Sequence, residues 1–211
     1  MLGIRRKLSL GFGGLLVIIL IIGVQSIIQL TRLGASIDVI LRENYRSVIA
    51  CQDVKEALER MDSGILFNLL GYPQEGADFI SKNESVFEKA LQTELNNITL
   101  PGEGEKARHL QELFSQYRTI IKTAENPNAP AAARREIYFT QLFPVFQAIK
   151  TTAGQILDMN QQNMSDANDW ARHQAASSRK VMYFLLAAHL VVQITFMFVP
   201  VHEAQLLSCH Y

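Results

Sequence analysis

The fold is decided by Leu8–Leu70, which reads LSLGFGGLLVIILIIGVQSIIQL over residues 8–30 and TRLGASIDVILRENYRSVIACQDVKEALERMDSGILFNLL over 31–70. The first part is 23 residues without a charge. At the helical rise it extends about 34 Å, enough to cross a bilayer. The second part follows without a break. Leu30, Leu33, Ile37, Ile40, Asn44, Ser47, Cys51, Val54, Leu58, Met61, Ile65 and Asn68 recur at intervals of three and four. That spacing turns one narrow seam toward a partner helix, as in a coiled coil. Together the two parts predict a single rod, anchored in lipid and projecting beyond it.

On the N-terminal side, Arg5, Arg6 and Lys7 directly precede the apolar run. Cations flanking a first span stay in the cytoplasm, so residues 1–7 are expected inside and residue 31 onward outside. A cleavable signal peptide competes with this reading, but the run is longer than a usual signal core and no A-x-A-like site follows it. On the other side, Gly71 and Pro73 close the rod with a left-handed cap and a helix stop. Helices are then predicted over about 75–98, with Phe79/Ile80, Val86/Phe87, Ala90/Leu91, Leu95 and Ile98 buried, and over about 105–124. Turns at 100–104 and 126–130 separate these elements. A short helix at about 131–142 should precede a long one starting at Pro144, since proline inside a helix kinks or breaks it.

Val181–Val199 is a second apolar run, 19 residues long. The expected order is therefore a cytoplasmic N-terminus (1–7), a first transmembrane helix (8–30), a periplasmic helical sensor domain (31–180), a second transmembrane helix (181–199) and a short cytoplasmic tail (200–211). Arg172, Arg179 and Lys180 on the outer side of the second run oppose the positive-inside tendency there. The fold class is all-α: an antiparallel up-down four-helix bundle between two transmembrane helices. The outer rod and returning helix, 40 and 37 residues, outreach the middle pair, 24 and 20 residues. Nearer the membrane only two helices per chain remain, which bury a seam poorly, so a homodimer completing a four-helix stalk is expected.

Where bundle and stalk should meet, Asn44 on the outgoing rod stands at the height of Asn163 or Asp166 on the return, with Arg42, Glu43 and Arg46 adjacent. This polar layer has two readings: a buried amide that fixes register and oligomeric state, or a switch point that takes a small polar ligand.

Composition narrows the rest. Twenty Lys and Arg balance twenty Asp and Glu, which gives nucleic-acid binding no electrostatic footprint. Cys51, on the seam, reads as a small buried hydrophobe rather than a crosslink between chains, and Cys209 lies beyond the second run. His109, His173, His189, His202 and His210 lack metal-site spacing. No phosphate-binding loop or nucleophile elbow is present, so no catalytic, cofactor-binding or metal residue is assigned and no cofactor is expected. Asn83-Glu84-Ser85 and Asn97-Ile98-Thr99 match the glycosylation pattern, and Trp170 reads as a packing aromatic near the outer interface.

Arg42-Glu43-Asn44-Tyr45-Arg46-Ser47-Val48, followed by Lys55-Glu56-Ala57-Leu58-Glu59-Arg60-Met61-Asp62-Ser63, carries a family resemblance, with a looser continuation in Leu69-Leu70-Gly71 and Leu157-Asp158-Met159-Asn160-Gln161. Over roughly residues 5–185 the chain resembles the extracytoplasmic sensor region of KinB-like bacterial two-component histidine kinases. The resemblance implies an inner-membrane sensor for a small-molecule or envelope signal. In such kinases a HAMP linker, a phosphoacceptor helix pair and an ATP-binding domain follow. Val201–Tyr211 matches none of these, so a chain truncated or frameshifted ahead of the kinase is expected. The rival output is a chemotaxis receptor; a third reading is a non-catalytic membrane-anchored scaffold.

Overall fold

The computed structural model describes residues 4–126 and 129–208, and for 4–11, 32–33, 35–36, 39 and 196–208 the backbone alone. Pro127, Asn128 and Cys209 lie outside the described residues, as do the side chains of Arg5, Arg6 and Lys7. Five α-helices form, with no strand among the described residues: α1 (Ile4–Leu69), α2 (Pro73–Leu95), α3 (Glu103–Ala124), α4 (Ala131–Ile137) and α5 (Phe143–Ser208). The chain divides into two compact units, Val39–Ala167 and the pair of terminal segments Met1–Asp38 and Asn168–Tyr211.

Val39–Ala167 is the bundle. Every seam residue of α1 from Asn44 to Asn68 is buried, as the three-four spacing requires. Cys51 is fully enclosed, which leaves its sulfur no surface from which to crosslink. α1 ends in a Schellman motif: Tyr72 N–H donates to Phe67 O at 2.9 Å and Gly71 N–H to Asn68 O at 3.2 Å, with Gly71 at φ 98°. Pro73 then opens α2 at its first position, where a missing N–H is harmless. Gly64 and Gly76 let α1 and α2 approach closely: a Cβ on Gly76 would stand 2.5 Å from the Gly64 carbonyl oxygen.

The predicted third helix buries a stripe at three-four spacing, Ala107, Leu110, Phe114, Tyr117, Ile121 and Ala124. Phe114 stacks on Phe87 of α2 at 3.8 Å between ring centroids. α2 departs from expectation. It stops at Leu95 rather than continuing to Ile98, and Phe79, Val86 and Ile98 are exposed. Ile80, Phe87, Ala90 and Leu91 are buried as expected, and Asn83 and Glu94 share that face with them. The short helix and the long one meet where expected, α5 beginning at Phe143, one residue before Pro144. Tyr138–Leu142 widens into a π-helical turn, with Phe143 N–H reaching Tyr138 O, and so delivers the chain into α5 around the missing proline donor.

In the other unit, Phe12–Thr31 is long and apolar enough to cross a membrane and is not buried within the chain. Ser178 Oγ donates to Gln29 Oε1 at 3.0 Å beside it. The second apolar run lies in α5 and reaches past residue 195, beyond the described side chains. Trp170 is exposed here, so within this chain it is not a packing residue.

Candidate functional site

At the end of the bundle that carries Asn44 of α1, a cluster of polar side chains is shut away from solvent. Asn44, Ser47, Glu94, Asn97, Glu103 and Asn160 are each at most 4 % exposed. They come from α1, from the end of α2 and the turn after it, from the start of α3, and from α5.

Local sequence explains the arrangement. Asn96 and Asn97 end α2, and Pro101-Gly102, with Gly102 at φ 82°, turns the chain into α3. Asn97 holds this turn to α1: its Nδ2 donates to Glu43 O at 2.8 Å and to Ser47 Oγ at 2.9 Å. Glu103 folds back over the turn, and its Oε2 accepts from Thr99 N at 2.6 Å and Leu100 N at 2.9 Å. Its other oxygen accepts from Asn160 Nδ2 at 2.6 Å, which ties the turn to α5. Asn44 Oδ1 accepts from Thr99 Oγ1 at 3.4 Å.

Four polar atoms in this cluster have no partner: Asn44 Nδ2, Asn160 Oδ1 and both carboxylate oxygens of Glu94. Burial pushes the Glu94 carboxyl up to about 7, and the facing Glu103 adds to the rise. The Ser47 hydroxyl nearby works the other way, but without hydrogen-bonding geometry to either oxygen. Burial likewise raises the Cys51 thiol, with Glu94 and Glu103 contributing.

The expected polar layer of Asn44 with Asn163 or Asp166 is therefore placed as follows. Asn44 is buried and meets the α2–α3 turn. Asn163 is half-buried, and Asp166 is exposed, accepting from Gln162 Nε2 at 2.8 Å on its own helix. The amide that enters the cluster from α5 is Asn160, one turn earlier. Glu94 and Glu103 read from sequence as solvated, because charged residues on amphipathic helices default to the exposed face, and Asn97 stood out there only as part of a glycosylation pattern. One signal was available: Glu94 continues the Ile80, Phe87, Leu91 stripe at helical spacing. The two glycosylation-pattern asparagines are both buried and engaged, Asn83 donating to Phe79 O at 2.7 Å and Asn97 as above, so neither presents an acceptor amide.

Beside the cluster, α1 and α2 form an open groove of about 530 Å³ lined by Arg42, Tyr45, Arg46, Ile49, Asp53 and Lys89, among others. Arg42 there pairs with Glu43 at 2.9 Å.

The arrangement can hold or release protons and amide hydrogen bonds at a point where all four bundle helices converge, and it offers no nucleophile with a base. No curated protein and no solved structure matches the chain. The family model for the four helix bundle sensory module for signal transduction matches residues 1–175, and the chain belongs to that family.

Proposed function

We propose that the chain is the input portion of a bacterial two-component histidine kinase: an inner-membrane sensor, N-terminus inside, whose bundle stands in the periplasm as part of a homodimer. The family match over residues 1–175 carries the sensory reading, and the candidate span Phe12–Thr31 supports membrane attachment. The kinase assignment draws on the resemblance of the Arg42–Val48 and Lys55–Ser63 segments. In this mechanism a signal biases two packings of the helices, and the polar cluster is where they differ most cheaply, because its hydrogen bonds are incompletely satisfied. A small-molecule input would have the Arg46 and Lys89 groove as its approach.

A reporter enzyme that matures only outside the cytoplasm, fused after Arg32, should be active. Activity only in a cytosolic reporter at that position would overturn the topology. Nucleotide sequence downstream of the Tyr211 codon, read in three frames, separates the outputs. A histidine phosphoacceptor box supports the kinase, and a long methylation-helix pair assigns the module to a chemotaxis receptor instead.

A further inference from the structure

Within the cluster, Glu94 and Glu103 are two carboxyl groups with opposite surroundings. Glu103 accepts three hydrogen bonds, two from backbone N–H groups of the α2–α3 turn and one from Asn160. Glu94, also fully buried, has no donor for either oxygen. A carboxylate left so would carry a buried, unpaired charge beside another carboxylate, which is among the most costly arrangements in a protein interior. As an acid it has a partner, because Glu103 faces it closely enough for the neutral carboxyl to hydrogen-bond its neighbour. Two carboxyl groups in contact away from water hold one proton between them. Asn44 Nδ2 and Asn160 Oδ1, both buried and unpartnered around the pair, show that the cluster is not closed by amides alone.

We propose that Glu94 and Glu103 form a proton-binding site in which one shared proton keeps the α2–α3 turn against α1 and α5, so that the module reads external proton concentration. This rests on the sensory assignment above. On release, the Glu94 O–H bond breaks, the proton passes to water and two carboxylates are left facing each other. The turn then yields at the bonds that hold it: Thr99 and Leu100 to Glu103, Asn160 to Glu103, and Asn97 to Ser47.

The groups facing Glu94 set the response. From α1 come the Ser47 hydroxyl, which favours the charged form, and the Cys51 thiol one turn on; Lys55, a further turn along, acts on Cys51. From α3 comes Glu103, which favours the neutral form, and α5 contributes the neutral amide of Asn160. With burial included, the balance places the transition close to neutrality, at about 7.

The test uses the full chain in phospholipid nanodiscs with two readouts. Infrared difference spectra should show the C=O stretch of a protonated buried carboxyl that disappears as pH rises through neutrality and is missing in Glu94→Gln. Glu103→Gln should keep the band but shift its midpoint down by about one pH unit, a tenfold loss of proton affinity. Hydrogen exchange at Thr99 and Leu100, corrected for intrinsic rates, should rise about tenfold from about pH 6 to about pH 8 in the parent and stay level in Glu94→Gln, the factor following from opening linked to one proton. Three results overturn the proposal: a carboxyl band that survives Glu94→Gln, a band that titrates while exchange at the turn does not move, or a band abolished at constant pH by added sodium, magnesium or calcium ions. The last would make the pair a metal-ion site. Neither readout uses an output domain, so failure here leaves the sensory assignment standing, while the Arg32 fusion tests the topology by itself.

Discussion

Near the α1–α2 turn, Asn68 donates to Glu125 Oε1 at 3.3 Å and accepts from Arg134 Nη1 at 3.2 Å, while the Tyr138 hydroxyl reaches both oxygens of Asp62 at 3.1–3.2 Å. Near the α2–α3 turn, the Asn44 to Asn160 cluster leaves a whole carboxylate unpartnered. Both ends bury polar groups, but they leave different atoms over. Among the described residues the first end strands the Tyr117 hydroxyl and Arg134 Nε, neither of them a charged acceptor, and the arginine still has a bond through its other nitrogen. The second strands both oxygens of Glu94. An unbonded hydroxyl is a small defect, whereas an unbonded carboxylate must take up a proton or move. One end is built to stay closed and the other to have two states.

The largest effect expected from this contrast is that of Glu103→Ala. It removes the acceptor for one buried and two part-buried donors and detaches the turn from α5, so a loss of about 2–4 kcal/mol is expected. Thermal unfolding in detergent against the parent chain measures it. A loss comparable to that of a surface mutation would show that the turn is held by apolar packing alone.

Next in size is the pH dependence. Glu94 binds its proton more tightly folded than unfolded, so the stability it contributes is complete below about pH 4.5 and is lost as pH rises through about 7. The full span is on the order of 3 kcal/mol at most. Asp62 has the same sign, because burial raises its carboxyl too, but Tyr138 and Lys150 oppose that rise. Glu94→Gln should therefore flatten most of the slope between about pH 5 and pH 8, and Asp62→Asn should flatten it less. Equal slopes in the two variants would erase the distinction between the ends.

The same contrast explains what the sequence made legible. The seam of α1 could be read because apolar and small residues alone mark it, and the Gly71–Pro73 stop because the geometry of a helix end demands those residue types. The third helix followed from the same rule. The cluster was half legible. Asn44 stood out as an amide on an apolar seam, but its partners come from a turn 55 residues away, and spacing within one helix carries no information about that. Glu94 looked like one more solvated acid, and Ile98 like a buried residue, because the unwinding of α2 at Leu95 is set by Asn97 reaching across to α1. Tertiary contacts decided that boundary, and local propensity did not.

Gly76→Ala probes the closed end at intermediate cost. The added methyl would meet the Gly64 carbonyl oxygen and the Asn68 backbone nitrogen, neither of them the tip of a flexible side chain. The helices must separate, at a cost of about 1–3 kcal/mol in thermal stability. The infrared titration of Glu94 should be unaffected. A shift in its midpoint would mean that the two ends communicate through the α1–α2 contact.

The smallest expected change has the opposite sign. Asn44 is buried, makes one long hydrogen bond to Thr99 and leaves Nδ2 empty, so its amide contributes little beyond its volume. Leucine at this position fills similar space with no polar atom to satisfy. Replacing a poorly satisfied buried polar group by an apolar one is neutral or stabilising, here by up to about 1 kcal/mol. Asn44→Leu should thus raise the melting temperature slightly, strengthen chain–chain crosslinking and leave the midpoint of the Glu94 band in place, since Asn44 acts through Thr99 and not on the carboxyl pair. It should also slow turn exchange by the same factor at low and high pH, because a tighter closed packing resists opening while the proton linkage is unchanged. If stability and crosslinking do not change, Asn44 is neither a register device nor part of the switch, and the two-state end of the bundle contracts to Glu94, Glu103, Asn97 and Asn160.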